Sequence, residues 1–166
     1  CMMPRQRPTW RALRTQALLA FGFASFASLA LWPCFAQVDW RAVRPQDGRS
    51  ASEVVELQLQ ALQQNNPETD DGIAKTFEFA SASNQASTGP VARFAQMIYL
   101  GYPILLNSKG FELLSALQLD PRTYMVRVEV EGSASRQVFV WQLSNAGDGS
   151  GWRTDAVMPD QNAQAE

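Results

Sequence analysis

Near residue 101 the spacing of apolar residues changes from helical to alternating, and that change limits the chain to a small set of folds. Before it, Val55, Leu59 and Leu62 recur on one helical face, widened by Val54, Leu57 and Ala61. Ser50-Ala-Ser-Glu53 has the spacing of a capping box, and Asn65-Asn66-Pro67 stops the pattern, which predicts a first helix from about Ala51 to Gln64. Asp70-Asp71-Gly72 opens a short second helix carrying Ile73, Phe77 and Ala80 on one face. Ser81 to Gly89 reads as a polar break. Pro90 is placed to open a third helix, with Phe94, Met97 and Ile98 inward and Gly101 as its stop.

From Tyr102 onward the period is two. Phe111 to Leu119 partly alternates, and Asp120-Pro121-Arg122 turns. Tyr124, Val126, Val128 and Val130 then point one way, opposite Met125, Arg127, Glu129 and Glu131. After a turn at Gly132 to Ser135, Gln137 to Leu143 is apolar on both faces over much of its length, as a central strand should be. Asn145 to Gly151 is a Gly-rich loop, and Gly151 to Val157 is the last strand. Three N-terminal helices followed by a meander predict an α+β domain, its curved antiparallel sheet closing over the helices as a cone. The nuclear-transport-factor-two-like, or cystatin-like, cone has this order of elements.

The first 36 residues have a different character. Arg5, Arg7, Arg11 and Arg14 are unaccompanied by acids, and no charge occurs from Thr15 to Val38. The apolar stretch Ala17 to Trp32 is ended by Pro33, and Cys34-Phe35-Ala36 puts small residues three and one positions before a cut at Gln37. This is the layout of an export signal. The competing reading is a retained N-terminal anchor, since the uncharged stretch approaches the roughly 20 residues that span a bilayer. Trp32 and Pro33 before Cys34 argue against a lipoprotein, and unpaired arginines against a twin-arginine route. Translation is expected to start at Met2 or Met3. Residues 37–49, with Pro45 and Gly48, read as a linker, residues 50–158 as the domain, and residues 159–166 as a disordered tail.

Removing the leader decides much of the chemistry. The chain has no His, and both cysteines, Cys1 and Cys34, precede Gln37. Thiolate nucleophiles, Ser-His-Asp catalysis, zinc sites, haem ligation by His or Cys, and disulfides are all excluded from the remainder, and no metal or cofactor is expected. About 130 residues bury a sufficient core without a staple. The same part carries ten basic against sixteen acidic residues, its arginines scattered singly, so no basic stripe exists to neutralise nucleic-acid phosphates.

Six runs suggest a family: Val54 to Leu62, Phe77 to Asn84, Thr88 to Met97, Gly101 to Asn107, Phe139 to Ser144 and Gly151 to Asp155. In order and spacing they resemble the domain-of-unknown-function 4864 family, of a cyanobacterial or plant-plastid type, over about Ser50 to Val157. The resemblance implies a small stand-alone domain behind an export or targeting leader, placed in the periplasm or the thylakoid lumen. It supplies no catalytic residues.

Individual residues nominate a site. Tyr102 and Asn107 flank the join of helices and sheet, where a cone opens, and are candidates for lining a pocket. Asn84 and Thr88 suit turn caps or polar groups at the mouth. Arg93 falls one residue before Phe94, off the apolar face, which favours a solvated or acid-paired guanidinium over ligand binding. Trp141 and Trp152 read as core aromatics. Asp155 alternates away from Trp152 and Thr154 toward the side of Arg153 and Val157; if that side is inward it is a candidate general base with Tyr102, otherwise a surface carboxylate. Asp70 with Asp71 and Glu129 with Glu131 are pairs that a hard cation accepts, though solvated acids are the simpler reading. The favoured function is a non-catalytic module binding a small molecule or a protein, a candidate for homodimerisation, that meets membrane only through its leader. The alternative is a cofactor-independent acid-base enzyme using Asp155 and Tyr102.

Overall fold

The computed structural model describes residues 38–164, and the leader lies outside them. The chain runs α1 (Ala51–Gln63), α2 (Asp71–Glu78), α3 (Ala82–Thr88), α4 (Val91–Gly101) and α5 (Pro103–Leu106), then β1 (Gly110–Asp120), β2 (Thr123–Glu131), β3 (Arg136–Asn145) and β4 (Trp152–Pro159). This is an α+β domain with one four-stranded antiparallel sheet in the order β1-β2-β3-β4. Among the described residues the helices number five rather than three. The expected polar break holds α3, capped by Ser81 accepting from the Asn84 N–H, and Pro103 starts α5 inside the stretch that was expected to be extended. Both helices are under eight residues, too short for periodicity to reveal. Pro90 caps α4 from outside rather than occupying its first turn.

The capping box of α1 is formed: Ser50 Oγ accepts from the Glu53 N–H, and Glu53 Oε2 accepts from the Ser50 N–H at 2.8 Å. α1 then turns Val54, Val55, Leu59 and Leu62 into the core, where they meet Val126, Val128 and Val130 of β2 and Phe139, Trp141 and Leu143 of β3. β3 lies between two strands, as its two-sided apolar sequence predicts. α2 crosses α1 so closely that a Cβ on Gly72 would collide with the Ala61 carbonyl oxygen, which requires glycine there. α4 is joined to α2 by Phe94 against Phe77, ring centroids 5.1 Å apart.

The segment read as a linker is part of the domain. Trp40 is 3% exposed and Val43 6%, and both belong to the core. The Trp40 indole N–H donates to Gln64 Oε1 at 3.1 Å, and the buried Lys75 ammonium donates to the Val43 carbonyl at 3.1 Å and to Glu78 at 2.7 Å. Local composition says linker; two apolar anchors and a buried cation override it. The tail is likewise fastened at its start. Asp160 donates its N–H to the Val138 carbonyl and pairs with Arg127 at 2.8 Å, and Gln161–Gln164 form a single 3-10 turn where disorder was predicted.

β4 carries the irregularity that matters most. Leu143 pairs with Thr154 but Gln142 with Ala156, so Asp155 is an extra, bulged residue. Beside it, the chain between α2 and α3 runs along β4 as a short parallel bridge at Ala80 and Thr154. The Ser81 N–H donates to the Thr154 carbonyl, and the Thr154 N–H to the Phe79 carbonyl.

Candidate functional site

A cavity of about 320 Å³ lies between α1, α3 and α4 on one side and β3 and β4 on the other. Its volume is at the lower end of the roughly 300–1,000 Å³ range of small-molecule sites. The walls are apolar and aromatic, built from Leu62, Phe94, Ile98, Leu105, Trp141 and Val157. They are inward because α1 and α4 present their apolar stripes here and because β3 alternates Trp141 toward the helices.

The floor is polar. Gln58 is 1% exposed and Thr154 2%, and the Thr154 hydroxyl donates to Gln58 Oε1 at 2.8 Å. The Gln58 amide donates in turn to the Thr76 carbonyl at 3.2 Å, and the Thr76 hydroxyl to the Gly72 carbonyl at 3.0 Å. This chain of bonds crosses from β4 through α1 to α2, so the floor is held by three elements. Gln58 was not among the residues nominated from sequence. Its position four residues after Val54 and four before Leu62, on the buried stripe of α1, is the signal that marks it.

The rim is made by α3 and β4. Ser87 Oγ donates to the Ser83 carbonyl at 2.8 Å and Thr88 Oγ1 to the Asn84 carbonyl at 2.8 Å. Asn84 Nδ2 donates to the Thr154 carbonyl at 3.0 Å, which fixes its amide with Oδ1 as the remaining acceptor. Asp155 also lines the cavity and accepts from Ser144 Oγ at 2.9 Å. Tyr102 lines the cavity too, its ring against Phe139 with centroids 6.0 Å apart and its hydroxyl donating to the Val157 carbonyl of β4 at 3.1 Å.

Of the residues nominated from sequence, the structure thus brings Asn84, Thr88, Tyr102 and Asp155 to one cavity. Arg93 and Asn107 are not there. Arg93 is exposed and folds its aliphatic stem against Gly89, and Asn107 is exposed at the end of α5, donating to the Pro103 carbonyl at 3.3 Å. Asp155 departs from simple alternation: the bulge lets Thr154 and Val157, three apart, both face inward while the carboxylate reaches Ser144 on the neighbouring strand. Trp141 is a core aromatic, and Trp152 packs edge-on against Tyr124 at 5.7 Å.

Hydrogen bonds in caps and turns displace the acidities of several carboxylates. The Ser50 N–H and hydroxyl hold Glu53 below the usual range, and the N–H of Arg122 and the hydroxyl of Ser150 do so for Asp120 and Asp148 in turns. Burial pushes Asp71 up, but the Asn66 N–H and Arg41 together bring it below its ordinary value. The two acid pairs are engaged within the protein: Asp71 with Arg41, Asp70 with the Tyr99 hydroxyl, and Glu129 and Glu131 with Arg136. Among the described residues no three His, Cys, Asp or Glu side chains are grouped to hold a metal ion, and no helix is long and apolar enough to cross a membrane.

A family model described as a domain of unknown function, DUF4864, matches residues 44–166. No curated protein matches the chain.

Proposed function

We propose, for a chain that belongs to the DUF4864 family, that it is a non-catalytic binding module of the cell envelope which holds a small molecule in the cavity under α3. The observation that carries this reading is the combination of aromatic walls with a fully bonded polar floor, an arrangement that orients a ligand without offering it a reactive group. An acid-base enzyme using Asp155 and Tyr102 is the second reading, favoured by their presence at one cavity. Against it, the Tyr102 proton is directed at a backbone carbonyl and Asp155 is tied to Ser144.

The fold is proposed to be a nuclear-transport-factor-two-like cone, supported by helices that precede a bulged meander and by the cavity between them. Export to the periplasm or thylakoid lumen, in a protein of cyanobacterial or plastid type, is supported by the leader at residues 1–36, with tethering to the membrane if that leader is retained. N-terminal sequencing of the native protein decides this: a start at Gln37 means export with cleavage, an intact Arg-rich end means an anchor. Self-association through β1 is part of the proposal, since this edge strand exposes Leu114, Leu117 and Leu119 and carries no Lys, Arg or Pro to block pairing.

The test of the cavity is a fragment screen by ligand-observed NMR on the full chain and on Val157→Trp, which extends an inward-facing side chain into the cavity. Fragments with an apolar ring should bind the wild type and lose at least about tenfold in affinity, roughly 1.4 kcal/mol, in the filled variant. Equal binding to both proteins rejects the cavity as the site.

A further inference from the structure

The charged groups nearest the cavity are turned away from it. Asp155 is the one acidic residue among the described residues that line it, and its carboxylate accepts from Ser144 Oγ at 2.9 Å. Ser144 follows the buried Leu143 in β3 and so lies on the opposite face of the sheet, which takes the Asp155 carboxylate out of the interior. No Lys or Arg is among the described residues that line the cavity, and the chain has no His. Arg153, next to Asp155 in sequence, donates to the Glu78 carbonyl at 2.7 Å and the Ser150 carbonyl at 3.2 Å.

The polar groups left at the rim are neutral and include both donors and acceptors. The Asn84 amide gives one N–H to the Thr154 carbonyl and keeps its second N–H and its Oδ1. The hydroxyls of Ser87 and Thr88 donate to carbonyls one turn back in α3 and keep their lone pairs. Ser83 Oγ lies 3.1 Å from Ser81 Oγ, in a bond where either hydroxyl donates.

We propose that the cavity is selective for uncharged ligands: an apolar, ring-bearing body against Phe94, Leu105 and Trp141, with a neutral group that both donates and accepts, such as a carboxamide, at Asn84. A carboxamide has the same two capacities as the Asn84 side chain it would meet. An ammonium or a carboxylate in that place would exchange water for walls that hold no opposite charge, a larger loss than that of a neutral group which regains its hydrogen bonds. This inference rests on the cavity being the binding site.

Three probes with a common phenylpropyl body separate the two claims: hydrocinnamamide, hydrocinnamate and 3-phenylpropylamine, titrated calorimetrically into the full chain at neutral pH, where the last two are charged. The amide should bind at least about tenfold more tightly than either ion. In Asn84→Ala the amide should weaken about fivefold, the loss of one hydrogen bond, while the ions are unchanged. Either ion binding as tightly as the amide overturns the selectivity, and an amide affinity that survives in Asn84→Ala overturns the place given to its polar end. The wild-type comparison does not depend on the variant. If Val157→Trp weakens the amide but an ion binds the wild type equally well, the binding site stands and its proposed selectivity falls. If Val157→Trp weakens none of the three, the site itself is rejected.

Discussion

Thr154 donates its hydroxyl to the side-chain oxygen of Gln58 at 2.8 Å, joining β4 to α1 across 96 residues of chain inside the core. Each partner depends on the other, because a buried amide or hydroxyl left alone costs about 1–3 kcal/mol. Thr154→Val and Gln58→Leu should each destabilise the domain by about that amount in urea unfolding. The double variant, which removes both polar groups, should lose less than the two single losses combined. Strict additivity would mean that the bond contributes nothing of its own.

Trp40 and Val43 bury the segment that precedes α1. Trp40→Ala should therefore cost about 3–5 kcal/mol, the range for a large core aromatic, and not the few tenths expected of a linker residue. Chemical denaturation monitored by far-ultraviolet circular dichroism measures it. A loss below about 1 kcal/mol would return the segment to linker status.

The Ser50 N–H and hydroxyl lower the pKa of Glu53 from its ordinary value of 4.5. A carboxylate lowered in this way stabilises the folded state fully above its unfolded value, and the contribution is lost as the pH falls through the lower folded value. Ser50→Ala should cost about 1 kcal/mol at neutral pH. The gap between variant and wild type should narrow as the pH falls below the ordinary value of 4.5 and through the lower folded one, because protonated Glu53 no longer accepts from the cap. Melting temperatures across that range test the sign; a gap that widens toward acid contradicts it.

Leu117, 59% exposed on the edge strand β1, is the most direct handle on self-association. In sedimentation equilibrium the full chain should dimerise and Leu117→Lys should shift it to monomer, with little change in folding stability because the side chain is already in solvent. A wild type that stays monomeric at high concentration ends the proposal of a homodimer.

The parts of this fold that were legible in the sequence are those with long, regular patterns. The cap at Ser50, the buried row Val126, Val128 and Val130, and the central place of β3 follow from spacing alone. α3 escaped because Ala82 to Thr88 has no apolar face; it exists by its cap and by its docking to β4. Trp40 and Val43 escaped because tertiary burial outweighed a polar, Pro-containing neighbourhood. At the cavity, Tyr102 and Asn84 could be nominated as polar groups near element ends. The floor could not, since the meeting of Gln58 with Thr154 depends on a strand register that only the folded sheet defines.

The bulge at Asp155 has a consequence for how the last strand can vary. It acts as a parity switch, so that an oily valine and a buried hydroxyl can serve the same interior although an odd number of steps separates them. Straightening the bulge with the length kept would turn everything beyond it to the other face, sending Val157 to solvent and Met158 inward, whereas deleting Asp155 would leave Thr154 and Val157 two steps apart on one face. What this strand must keep is the match between its length and its kink.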